Sequence, residues 1–191
     1  MAAKVGEEYR SLTREELLQK VYELGVAYEM HSFSCSQSTV AALYRVLDFP
    51  DVIVKASSSN AGGTALQLFG SCGGLVGGIM ILDYYFGRPF ELMSDKEVIQ
   101  DPNIDSLMAA QPIARALCDK YVDEYGTITC AHIQRQIYGR VYYFEDMDEF
   151  QIFNEAGGHS DPNKCPRIVG NAAKWTMEIL LDNGGVELDN I

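Results

Sequence analysis

An all-α, single-domain helical bundle is the fold this 191-residue sequence predicts, and three observations predict it. Apolar residues recur at three- and four-residue spacing along most of the chain, which is the pattern of helices that bury one face. Helix-start and helix-stop residues punctuate that pattern at regular intervals. The run Val141-Tyr142-Tyr143-Phe144 is the only strand-like stretch, and an isolated strand needs a partner, so it is expected as extended loop or short edge pairing.

The elements follow in order. Thr13 with Glu16 makes a capping box, after which Leu17, Val21, Leu24 and Tyr28 share one face of a first helix. Ser34 with Gln37 repeats the box signature, placing Cys35 at the first helical position with Val40, Leu43 and Leu47 beneath it. Asp48-Phe49-Pro50-Asp51 breaks that helix, a short one follows, and Ser57-Ser58-Ser59-Asn60-Ala61-Gly62-Gly63 is a loop by its breaker chemistry.

From Cys72 to Phe86 the chain is apolar nearly all round, which predicts a central helix buried on every side; Gly73, Gly77 and Gly78 then imply close packing. Ile104 to Tyr125 reads as a long helix interrupted by Pro112, with Ala114, Leu117, Cys118, Tyr121 and Tyr125 inward and Gly126 as its stop. Thr129 caps a short helix through Ile137. Asp146 to Glu155 is expected as an acidic helix burying Met147, Phe150 and Phe153. The last helix starts at Pro166, presents Ile168, Ala172, Trp175 and Ile179 to the core, and stops at Asn183-Gly184-Gly185. One domain, 1–191, is expected, with 1–12 and 183–191 as flexible ends.

Composition narrows the function. The apolar fraction of 47% and charged fraction of 22% are those of a soluble globular protein. A net charge of −12 argues against nucleic acid and anionic membranes as partners, since both repel an acidic surface. The N-terminal segment has no signal-type apolar stretch and no run reaches the roughly 18 apolar residues of a membrane span, so a cytoplasmic location is expected. A phosphate loop lacks its strand-then-helix setting and its lysine, and no nucleophile elbow occurs. The acidic run 145–149 reads as a solvated helix start.

Cysteine placement points to chemistry. Cys35, Cys72, Cys130 and Cys165 stand alone, far apart, each at an apparent helix start, preceded by Ser34, Ser71 and Thr129 or followed by Pro166. The helix dipole and unpaired N–H groups there favour thiolate, the form that binds soft metals and attacks disulfides. In a reducing compartment, five cysteines suit metal or redox use better than a disulfide framework. No pair has the two-residue spacing of zinc ribbons or bacterial ferredoxins, so a shared site has to assemble from four helix starts. Cys118, mid-helix on an apolar face, is expected to be a core thiol. His132 and His159, near Cys130 and Cys165, are candidate neighbours of the site, and His31 precedes the first cysteine.

The motif Cys72-Gly73-Gly74-Leu75-Val76-Gly77, the Cys35-Ser-Gln-Ser38 context and Cys165-Pro-Arg-Ile-Val-Gly-Asn-Ala-Ala173 resemble the C_GCAxxG_C_C family, small redox-active proteins with four characteristic cysteines and a CGAxxG motif. Gly74 departs from it, standing where the motif has alanine. The likeness extends to the non-haem part of split-Soret cytochromes. It implies an iron–sulfur cluster on Cys35, Cys72, Cys130 and Cys165, with Gly73 and Gly77 giving it room. It further implies electron transfer with a redox partner protein, and a homodimer. Without Cys-x-x-Cys-His, c-type haem is not expected. A metal-free thiol/disulfide protein and a zinc-stabilised adaptor are the competing expectations.

Overall fold

The computed structural model describes residues 3–94 and 101–188. Eight α-helices follow in order among them: α1 (Arg14–Ser32), α2 (Cys35–Val46), α3 (Val52–Ala56), α4 (Gly73–Phe86), α5 (Ile104–Tyr125), α6 (Cys130–Tyr138), α7 (Met147–Glu155) and α8 (Cys165–Asp182). The all-α single domain is therefore what the chain forms. No helix among the described residues is long and apolar enough to cross a membrane.

The capping box of α1 closes as its sequence predicts. Thr13 Oγ1 accepts from the Glu16 N–H at 3.3 Å, and Glu16 Oε2 accepts from the Thr13 N–H at 2.9 Å. Below it Leu17 and Val21 are fully buried. The α1, α2, α4 and α8 helices pack together as the centre of the bundle, with α5 against α4 and α8. Val40, Leu43, Leu75, Ile81, Leu82, Leu117, Ala172, Met177 and Leu180 fill the space between them with at most 1% exposure. Burial of that kind contributes roughly 1.5–3 kcal/mol for each large aliphatic side chain.

Three local expectations are corrected. Ser34 and Gln37 do not form a capping box: the Ser34 hydroxyl donates to the Ser58 carbonyl at 3.5 Å and the Gln37 amide to the Val54 carbonyl at 3.2 Å, tying α2 to the segment after it. The helix α4 is not enclosed on every side: Ile81 and Leu82 are buried, but Asp83 and Tyr84 are exposed. On α7, Phe153 is buried but Met147 is 72% exposed, because the first turn of this short helix lies beyond the core and Asp146 caps it from outside. Tyr142 of the strand-like run is buried in an extended loop, its N–H donating to Gln134 Oε1 at 2.9 Å, with no strand partner.

The chain ends, expected to be flexible, are packed where they are described. Ala3–Lys4 pairs in parallel with Val186–Glu187, Val5 bridges Leu47, and Val5, Tyr9 and Val186 are buried in the core cluster. Apolar side chains at 5, 9 and 186 outweigh the polar character of the segments around them.

One loop carries unusual backbone. Gly62, Gly63, Thr64, Ala65 and Leu66 form an unbroken left-handed run with φ of 59°, 71°, 69°, 47° and 64°, and Leu68 follows at 68°. Three of the five consecutive residues carry a Cβ, which makes this conformation costly by roughly 1–2 kcal/mol each. Five backbone bonds hold it, from Ala65 to Ser59, Leu66 to Ala61, Gln67 to Thr64, Leu68 to Gly62 and Gly70 to Gly63. Ala65→Gly is expected to raise stability by about 1 kcal/mol in urea unfolding, since glycine adopts this φ without penalty; a loss of stability would contradict the assignment of strain to this turn.

Candidate metal and redox site

The four helix-start cysteines come together. Cys35, Cys130 and Cys165 are the first residues of α2, α6 and α8, and Cys72 is the residue just before α4. Backbone pairing fixes two of them side by side. Ser71 and Thr129, the expected caps, form an antiparallel bridge instead, with the Cys72 N–H donating to Ile128 O at 2.8 Å and the Cys130 N–H to Gly70 O at 3.0 Å. Cys35 is brought in through Gly73: a Cβ there would collide with Cys35 Sγ and lie 2.8 Å from Asn60 O. Gly77 extends that close approach, since its Cβ would meet Ser36 O at 2.5 Å.

All four thiols line one cavity of ≈ 60 Å³. Its walls are otherwise apolar, with Ile133, Phe153, Ile168 and Val169 inside and Phe33, Leu66, Phe144 and Phe150 toward the mouth. Glu29, Gln134 and His159 supply the other polar side chains, and no lysine or arginine among the described residues lines it. The left-handed turn forms part of the wall through Gly62 and Leu66, beside Ala61, which gives its strained backbone a place in the site. No group of three or more His, Cys, Asp or Glu side chains among the described residues is placed to hold a single metal ion.

Polar groups stand against the sulfurs and favour thiolate: the Gly62 N–H beside Cys35, and the Gly74 and Leu75 N–H groups of α4 beside Cys72. Two tyrosine hydroxyls add to these: Tyr121 to Cys72 Sγ at 3.9 Å and Tyr138 to Cys165 Sγ at 3.4 Å. The Gln134 side chain serves Cys130. Tyr121 also explains the departure at Gly74. An alanine Cβ there would stand 2.8 Å from the Tyr121 hydroxyl, so the oxygen that reaches Cys72 occupies the space of the missing methyl.

The expected acidity of these thiols is overturned for the protein with no metal bound. Burial pushes Cys35, Cys72 and Cys130 up from the usual thiol range, and Cys165 up to about 12. Loss of water around an anion outweighs the helix dipole, which contributes about 1 kcal/mol or less at an exposed end. A metal that displaces the protons would reverse this balance, because coordination holds the thiolate form.

Glu29 and His159 form a second polar pair at the cavity. Their 3.8 Å separation has the spacing of an ion pair, but burial pushes the Glu29 carboxyl up to about 8 and the His159 imidazole down to about 4, so both are neutral at pH 7. His159 Nδ1 lies 2.8 Å from Asn154 Oδ1, an acceptor, which assigns its proton to Nδ1 and leaves Nε2 as an acceptor facing Glu29. Phe33, in a left-handed conformation at the end of α1, stacks on the imidazole at 4.4 Å.

The remaining sequence candidates separate cleanly. His159 lines the cavity; His132 is exposed on α6 and His31 on α1, both outside it. Cys118 is half-buried in α5 against the core and does not line the cavity. Glu29, Tyr121, Tyr138 and Gln134 were not singled out for chemistry by their sequence contexts. For Tyr121 the only signal was its inward position on α5, and for Glu29 there was a charged residue one position after the apolar Tyr28.

A family model described as "Putative redox-active protein (C_GCAxxG_C_C)" matches residues 33–179, more than half of the chain and the whole span of the four cysteines. No curated protein and no solved structure matches the chain.

Proposed function

Because the chain belongs to the C_GCAxxG_C_C family of redox-active proteins, we propose that it transfers electrons through an iron–sulfur cluster held by Cys35, Cys72, Cys130 and Cys165. The observation that carries this reading is the convergence of four thiols from four helix starts on one cavity, which no described lysine or arginine lines. The four cysteines offer four sulfur donors, the number that iron–sulfur clusters commonly take.

When bound, such a cluster supplies one-electron chemistry at a potential set by its surroundings. The chain's own residues then do three things. The four thiols bind, held at helix starts whose positions the Ser71–Thr129 bridge and the Gly73 contact fix. Tyr121, Tyr138 and the N–H groups of Gly62, Gly74 and Leu75 direct hydrogen bonds at sulfur, which raises the reduction potential by favouring the more negative state. Apolar walls from Ile133, Phe153, Ile168 and Val169 exclude water, and the mouth beside Phe33 and Leu66, both partly exposed, is where a redox partner protein approaches.

Purification without oxygen, followed by reconstitution with iron and sulfide, tests the reading. Iron and acid-labile sulfide in near-equal amounts, with a visible charge-transfer band, are expected. Folded protein that takes up neither would overturn it, and stoichiometric zinc in their place would replace it with a structural-metal role.

A further inference from the structure

We propose that Glu29 is an oxygen ligand to the metal centre, so that the site has a mixed sulfur and oxygen donor set; this rests on the cluster reading above. Glu29 is 2% exposed on α1 and lines the same cavity as the four cysteines. Its Oε2 is fully enclosed and has no hydrogen-bond partner. The buried Ser38 hydroxyl faces the same carboxyl, yet Ser38 Oγ too completes no hydrogen bond. His159, 3.8 Å from Oε1, brings no positive charge, since its proton is committed to Asn154 and its other nitrogen is an acceptor.

An unpartnered carboxyl oxygen in such a place is costly to the fold, because desolvation is not offset by a donor or a cation. The four thiols share this cavity with it, and no lysine or arginine among the described residues lines the cavity. A metal centre is the one occupant that offsets thiolates and carboxylate together. Carboxylate oxygen is a hard donor and thiolate a soft one, and iron accepts both. An oxygen donor on one iron makes that iron unlike the others, and it favours the oxidised state because the anion stabilises higher positive charge.

The test uses the full chain, reconstituted without oxygen with iron and sulfide, as the parent protein and as Glu29→Gln. Glutamine keeps the shape and an acceptor oxygen but removes the charge, and circular dichroism checks that the fold is retained. Expected for Glu29→Gln are a changed electron-paramagnetic spectrum of the reduced protein, a raised reduction potential, and iron release to a chelator that is faster by about 10- to 100-fold. A carboxyl that only fills space beside His159 would leave all three readouts at the parent's values, and that result overturns the ligand role alone. A parent protein that binds no iron overturns the cluster reading and this inference together, so the two failures are distinguishable.

Discussion

Gly73→Ala is expected to destabilise the protein by about 2 kcal/mol and to abolish assembly of the cysteine site. An added methyl at this position collides with Cys35 Sγ and is also 2.8 Å from Asn60 O and 3.1 Å from Ala61 Cα. Two of those three neighbours are backbone atoms, so relief requires moving the segment after α3 or tilting α2 against α4. Overpacking of that kind costs typically 1–3 kcal/mol and occasionally more. Helix propensity works in the other direction, since alanine within a helix is favoured over glycine by about 1 kcal/mol. Urea unfolding decides between them: a lower midpoint with iron uptake lost is predicted, whereas a stability gain near the propensity value would mean that the close approach of α2 and α4 is loose.

The second large effect is pH-dependent. Burial holds the Glu29 carboxyl at about 8 in the folded, metal-free protein, against 4.5 for the exposed group. A carboxyl raised in this way binds its proton more tightly folded than unfolded. Its contribution is therefore fully present below pH 4.5 and is lost as pH rises through that value toward about 8. Glu29→Gln removes the loss. At pH 8.5 the metal-free variant is expected to exceed the parent by on the order of 4 kcal/mol, with the advantage shrinking to nothing near pH 4.5. Parallel stability profiles for the two proteins between pH 5 and 9 would contradict the buried, unpaired setting of this carboxyl. In the iron-loaded protein the same substitution removes a ligand, so its sign reverses.

How far the residues announced this arrangement depends on the distance over which each signal acts. Capping at Thr13–Glu16, the Pro166 start, and the stops at Gly126 and Gly184 are local chemistry, and the helices they bound form where the sequence places them. Recurrence of cysteine at four helix starts was likewise legible, because position within a helix is a short-range property. Ser34 and Ser71 were misleading because longer-range contacts took them: the Ser34 hydroxyl, which suits an N-cap, donates to the Ser58 carbonyl, and the Ser71 backbone pairs with Thr129.

What brings the cysteines to one cavity is nowhere local. The pairing of Ser71 with Thr129 joins segments 58 residues apart, and the Tyr121 hydroxyl reaches Cys72 across 49. The left-handed run from Gly62 to Leu66 gave no warning beyond its two glycines, as Thr64, Ala65 and Leu66 have no preference for that backbone. Thiol acidity failed as an expectation because a helix start seen in sequence says nothing about how much water surrounds it. Gly74, by contrast, looked like a departure from the family motif and becomes intelligible once Tyr121 is seen to fill the space of the alanine methyl.

The central claim, that Cys35, Cys72, Cys130 and Cys165 act as one centre, is tested most directly by iron and sulfide content across single and double Cys→Ala variants prepared without oxygen. A shared cluster predicts that each single substitution strips or converts most of the bound iron and that a second adds little, because losses within one unit are non-additive. Cys118→Ala, outside the cavity, is predicted to keep the parent's iron content while costing about 1 kcal/mol or less of stability for its small cavity. Four independent losses, iron retained in any of the four single variants at the parent's level and spectrum, or iron lost on changing Cys118, would contradict it.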